Sequence, residues 1–305
     1  MLDLTLLGTG GYMPLPNRYL SSLLLNYKGV RILCDCGEGT QIAMREHGAG
    51  FKNLDLILIS HLHGDHFYGL MGVLVSLGNY GKTNPLTIIG PKGLSDMMQF
   101  VMHMSGKMPY EIRIIEEPKE NFRLEHEVLK DVEISTMQLN HSIDCLGYSL
   151  NFTRTPEFCV EKAKENQVPI CIWKKLQQME NVEFDGKTYT PNMVLGTARK
   201  GIKVSFIADT KYMPEIAQFV ENSDVLVCEA MYGDIEDFQK AEDNKHMLMT
   251  QSAQIAKDGN VQTLILTHFS PSIEKPMDYD NVAKSVFPNS IIGTDGFSLT
   301  LRYNQ

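Results

Sequence analysis

The chain has 305 residues, is 43% hydrophobic and carries a formal net charge of −9. That describes a globular protein with a substantial core, as one large domain or two small ones. The acidic balance disfavours a non-specific nucleic-acid binder, because phosphate affinity needs clustered Lys and Arg, yet a local basic patch can sit on an acidic body. No run of about 20 apolar residues occurs, so no membrane span is expected. Six cysteines without framework spacing fit reduced thiols in a cytoplasmic protein. Met1-Leu2-Asp3-Leu4 lacks a basic leader and reads as mature sequence.

Residues 2 to 8 alternate as a first strand, and a Gly/Pro-rich loop runs from Gly8 to Arg18. Its GxG is not followed by the helix a dinucleotide turn needs. Leu20 to Tyr27 and Val30 to Cys36 make a hairpin around Lys28-Gly29. A helix follows near Thr40 to His47. Leu54 to Ile59 is an apolar run that reads as a buried strand. Directly after it comes His61-Leu62-His63-Gly64-Asp65-His66, with four metal-ligand side chains in six residues, then a helix from Phe67 to Gly78. The ligands therefore sit on a strand-to-helix loop. So tight a loop cannot easily give all four to one metal, but two adjacent metals can share them. Leu86 to Pro91 is a strand and turn. Leu94 to Met104 is a Met-rich helix whose stripe reads as core. Strands follow at Glu111 to Ile115 and Val132 to Leu139.

The strand–helix rhythm breaks at residues 153 to 193 and resumes after Ile202. Two α/β halves pressed sheet to sheet give a four-layer αββα sandwich, one domain over 1–305 with 153–193 as an inserted arm or cover. Phe184-Asp185-Gly186-Lys187 reads as a hairpin turn. His141, Asp209 and His268 each follow the end of an apolar strand. That recurrence lets their side chains meet the His61–His66 loop at one rim.

His-x-His-x-Asp-His after a hydrophobic strand resembles the signature of the metallo-β-lactamase fold hydrolases, and the wider chain resembles the ribonuclease Z family. Ala241-Glu242-Asp243-Asn244-Lys245-His246 is similar to that family's Ala-x-Asp-x-x-His stretch. The resemblance implies that His61, His63 and His141 hold one metal, that Asp65, His66 and His268 hold the other, and that Asp209 bridges. Imidazole and carboxylate donors suit two zinc ions, with manganese or iron as alternatives. Such a pair lowers the pKa of a shared water, which Asp65 orients or deprotonates. His246 is then the general acid to the leaving 3′-oxygen. Pro14 to Arg18 resembles a family loop beside the substrate backbone, which makes Arg18 a phosphate contact. Tyr19 stands where that family has Asn, and the inserted stretch lacks the family's Gly-Pro element.

The function so implied is a zinc-dependent endoribonuclease acting at the 3′ end of precursor tRNA, as a homodimer. The alternative is a metal-dependent phosphodiesterase with a smaller substrate.

Overall fold

The computed structural model describes residues 1–303. In chain order the strands are β1 (Leu2–Gly8), β2 (Ser22–Tyr27), β3 (Val30–Cys34), β4 (Leu54–Leu58), β5 (Leu86–Gly90), β6 (Ile112–Glu116), β7 (Asn121–Arg123), β8 (Val132–Leu139), β9 (Cys145–Arg154), β10 (Val182–Phe184), β11 (Lys187–Tyr189), β12 (Arg199–Ile207), β13 (Val225–Glu229), β14 (Thr263–Thr267), β15 (Ser290–Ile292) and β16 (Ser298–Leu301). One seven-stranded sheet has the order β16-β1-β2-β3-β4-β5-β6, and a second has β15-β14-β13-β12-β9-β8-β7. Lys28 and Gly29, both at positive φ, turn β2 back onto β3 as expected.

Every residue of β4 and of β13 is buried. Strands covered on both faces read as near-continuous apolar runs, which is why β4 is legible in the sequence. Helices Thr40–Glu46, Leu70–Asn79 and Leu94–Ser105 cover the outer face of the first sheet, with Ala43, Met44, Val73, Leu74, Leu77 and Met98 packed into one core with Leu33, Ile57 and Ile88. Helix Met249–Asp258 packs on β13 and β14 through buried Ala253, Ile255 and Ala256. The two sheets join next to the histidine loop: Tyr148 Oη donates to Ile59 O at 2.8 Å, and Leu146 N donates to Ser60 O at 2.9 Å. This is the expected four-layer arrangement.

Two details differ from expectation. The helix after the histidine loop begins earlier, at Gly64, and breaks at Tyr68-Gly69 into Gly64–Phe67 and Leu70–Asn79. Gly69 packs so closely on Gly37 that an added Cβ would lie 2.0 Å from the Gly37 carbonyl oxygen, and its own N–H donates to Cys36 O instead of continuing the helix. The Met stripe of Leu94–Ser105 is also thinner than expected. Met98 is buried, but Met102 and Met104 are exposed.

Residues Phe152–Gly201 form a compact unit of their own. Ala163, Val168, Ile172, Leu176, Val182, Tyr189, Val194 and Leu195 make its core, and the Trp173 indole N–H donates to Val168 O. Asp185 and Gly186, again at positive φ, close the β10–β11 hairpin. The unit carries eight basic and six acidic side chains, so it is net positive within a chain of −9.

Candidate metal centre

Register explains why distant residues converge. β12, β13 and β14 are parallel, with Ile207 opposite Cys228 and Glu229 opposite Thr267. Their C-terminal ends therefore lie level, which delivers Asp209, Glu229 and His268 to one rim. The loops after β4 and β8 bring His61–His66 and His141 to the same place. Two groups result, His61, His63, His141 with Asp209, and Asp65, His66, His268 with Asp209, each with ligand atoms within 4.8 Å of one another.

Asp209 serves both groups with different oxygens. Oδ2 lies 3.6 Å from His61 Nε2 and 3.9 Å from His141 Nε2. Oδ1 lies 3.3 Å from His66 Nε2 and 3.2 Å from His268 Nε2. His61 Nε2 and His141 Nε2 approach His63 Nδ1 at 3.1 and 3.2 Å, and His66 Nε2 approaches His268 Nε2 at 3.1 Å. Tetrahedral zinc with bonds of 2.0–2.1 Å sets its donor atoms about 3.3 Å apart. The spacing fits.

The proton inventory points the same way. His66 Nδ1 faces Asp35 Oδ2 at 2.6 Å, and His141 Nδ1 faces Lys245 O at 3.2 Å. His61 Nδ1 faces Ser60 Oγ at 2.9 Å, whose own proton goes to Asp35 Oδ2. Each acceptor holds the Nδ1–H tautomer and turns the Nε2 lone pair inward, as outer partners of metal-bound histidines do. Lone pairs so placed repel unless a cation lies between them. Asp209 Oδ1, buried and without a hydrogen-bond partner among the described residues, is the matching orphan.

Burial alone would raise the carboxyls. The surrounding imidazoles outweigh it and hold Asp65 and Asp209 well below the usual carboxylate range. Burial and then neighbouring imidazoles depress His61, against the pull of Asp209. Burial also opposes the charged form of His66, but Asp209, Asp35 and Asp65 raise its pKa well above the ordinary value.

His246 stands next to this centre, with Nδ1 3.1 Å from Glu229 Oε1 and Nε2 3.9 Å from Asp209 Oδ2. Burial opposes its charge, but Glu229 and Asp209 raise its pKa to about 9. Glu229 is fixed by N–H donors from Thr210, Met231 and Met247. An open cavity of about 880 Å³ ends on these groups and is lined by Tyr12, Tyr68, Tyr232, Lys245 and His246 among others.

The Gly-rich loop after β1 contributes contact. A Cβ at Gly11 would fall 2.6 Å from the His268 ring, and the Tyr12 amide donates to Asp65 Oδ2 at 2.6 Å. Arg18 lies outside the cluster. Its guanidinium donates to Glu274 O at 2.9 Å and reaches Ser270 O at 3.5 Å. Asp35, Glu229 and Lys245 were not given these roles from sequence.

A protein-family model described as "Anti-Pycsar protein Apyc1" matches residues 2–286. Relatives named ribonuclease Z include one from Clostridioides difficile (strain 630), 52% identical, and one from Clostridium beijerinckii, 48% identical, each aligned over 100% of both chains. Among solved structures, the short form of human tRNase Z has a TM-score of 0.69 at 22% identity, covering 98% of this chain and 99% of its own. The metallo-β-lactamase fold protein YhfI from Bacillus subtilis also has a TM-score of 0.69, at 20% identity, covering 98% of this chain and 100% of its own. At such identities the two structures bear on the fold.

Proposed function

The chain belongs to the ribonuclease Z family, and to the family that the Apyc1 model describes, and on that premise we propose how it works. It is a metal-dependent endoribonuclease that hydrolyses the phosphodiester at the 3′ end of precursor tRNA. We assign His61, His63, His141 and Asp209 to one metal and Asp65, His66, His268 and Asp209 to a second, with zinc at both. The observation that carries this is Asp209, whose two oxygens face two separate donor groups.

Bound there, two divalent ions lower the pKa of a shared water and draw charge from a phosphoryl oxygen. The chain's residues do the rest. Asp65, held by the Tyr12 amide, orients the attacking water and takes its proton. As the water oxygen bonds to phosphorus, the bond to the leaving 3′-oxygen breaks and His246 gives that oxygen its proton. Glu229 holds the His246 ring by Nδ1. Arg18, oriented by the Glu274 carbonyl, contacts the substrate backbone; Arg18→Met should raise KM for RNA with kcat kept, and an unchanged KM removes that contact.

A second reading, a smaller phosphodiester substrate, is favoured by the charge of −9 and by an inserted stretch that lacks the family's Gly-Pro element. One assay separates the two: unmodified precursor tRNA beside bis(p-nitrophenyl) phosphate, with zinc and with manganese. Cutting at the 3′ side of the discriminator is the expected result. Hydrolysis of the small diester alone transfers the assignment to the second reading.

Ile42, Met71 and Val75 on two neighbouring helices, with Tyr68 at the break before the second, are exposed apolar side chains where a Cβ at Gly72 would touch the Gln41 side chain. Such a group marks an interaction surface, and we assign it to a second copy of the chain. A solution mass of one chain by light scattering would remove that assignment.

A further inference from the structure

Lys245 has no part in the mechanism above, yet it lies between two residues that do. It ends helix Phe238–Asn244 with φ 55° and ψ 53°, a left-handed backbone that glycine or asparagine adopts more readily. A lysine held there needs surroundings that fix it. Those surroundings are His141, 104 residues away in sequence. Two hydrogen bonds run between the pair in opposite senses. Lys245 Nζ donates to His141 O at 2.8 Å, and His141 Nδ1–H points at Lys245 O at 3.2 Å. The next residue is His246, whose ring centroid is 5.2 Å from that of His141.

We propose that Lys245 is a positioning residue, a latch that fastens the loop carrying His141 to the turn carrying His246. The backbone half of the latch, Lys245 O, fixes the Nδ1–H tautomer of His141 and leaves Nε2 for the centre. The side-chain half, Nζ, ties the His141 main chain in place, so neither ring moves without the other. A glycine would relieve the backbone at 245 and keep the carbonyl, but it would lose the ammonium. The inference rests on the assignment of His141 as a metal ligand. It gives the ammonium a different task from the obvious one, a direct contact with substrate phosphate from the cavity wall.

The test uses full-length protein and the variants Lys245→Met, Lys245→Gly and Lys245→Arg. Zinc retention is read by competition with a chromophoric chelator, ligand geometry by the absorption bands of the cobalt-loaded protein, and turnover at saturating metal. Lys245→Met and Lys245→Gly keep the carbonyl that faces His141 Nδ1 but free the main chain that Nζ holds, so both should release zinc more readily, by up to about the 10–100-fold seen when an outer partner of a metal-bound histidine is lost outright, with shifted cobalt bands and a lower kcat. Lys245→Arg, which keeps a donor, should recover most of all three. If Lys245→Met holds zinc and cobalt as the parent does and only KM for RNA rises, the ammonium is a substrate contact and the latch is wrong. If Lys245→Gly retains zinc normally, the side chain is not needed and the latch is equally wrong. A parent protein that binds neither zinc nor cobalt would overturn the metal assignment itself, a result visible before any variant is compared.

Discussion

Asp209→Ala should leave the protein unable to hold two metal ions. The residue is buried, and its two oxygens each sit 3.2–3.9 Å from a pair of imidazole nitrogens in different donor groups. Among the described residues no other carboxylate falls in both sets: Asp65 belongs to only one of them, and Glu229 groups with His246 and His268. Without Asp209 the two groups share no anion, and bringing two dications together is opposed by their full repulsion. Metal content by elemental analysis should fall below two ions per chain. A metal pair supplies several kcal/mol of charge stabilisation in the transition state, so turnover should fall about 10³-fold or more. Retention of both ions by Asp209→Ala would end the bridging assignment. Asp209→Asn is the useful companion, because it keeps the volume of the buried side chain while removing the charge.

His246→Ala should separate two substrates whose leaving groups differ in their need for a proton. Removing a general acid costs about 10²–10⁴-fold where the leaving oxygen must be protonated. A ribose 3′-oxygen needs that proton, whereas p-nitrophenolate departs without one. RNA cleavage should therefore collapse while bis(p-nitrophenyl) phosphate hydrolysis and metal content stay close to the parent's. The pH profile carries the same sign. An acid works only while protonated, so RNA cleavage falls as pH rises through the His246 pKa. Burial lowers that pKa, and Glu229 and Asp209 bring it to about 9. Bound cations oppose the imidazolium, which places the alkaline limb below 9. Hydrolysis of the nitrophenyl diester should lack that limb. RNA cleavage by His246→Ala at the parent rate, with metals bound, would remove the general-acid role.

Much of this centre was legible before any fold was seen, for a physical reason. His61, His63, Asp65 and His66 lie in one loop after an apolar run, so their proximity is imposed by covalent spacing. His141, Asp209 and His268 are far apart in sequence, but each follows an apolar strand, and strand ends share a rim whenever the strands share a sheet. Resemblance to a known family then sorted them into two groups. The same local logic located both positive-φ hairpin turns, because Lys28-Gly29 and Asp185-Gly186 carry their backbone preference with them.

Contacts that skip along the chain behaved differently. Asp35 meets His66 across 31 residues, and Glu229 meets His246 across 17. Nothing in the neighbouring sequence distinguishes these carboxylates from any other buried acid. The break at Tyr68-Gly69 comes from the close approach of Gly37, and propensity alone would have run the helix through it. Residues Phe152–Gly201 gathered their own core from short apolar fragments, none of them periodic enough to announce one. By itself, then, the sequence determined the donor types, their order and the strands that end beside them. Only the tertiary structure decided which nitrogen of each imidazole turns inward, which oxygen of Asp209 faces which group, and that Lys245 reaches His141, because those follow from packing between segments that covalent spacing leaves free.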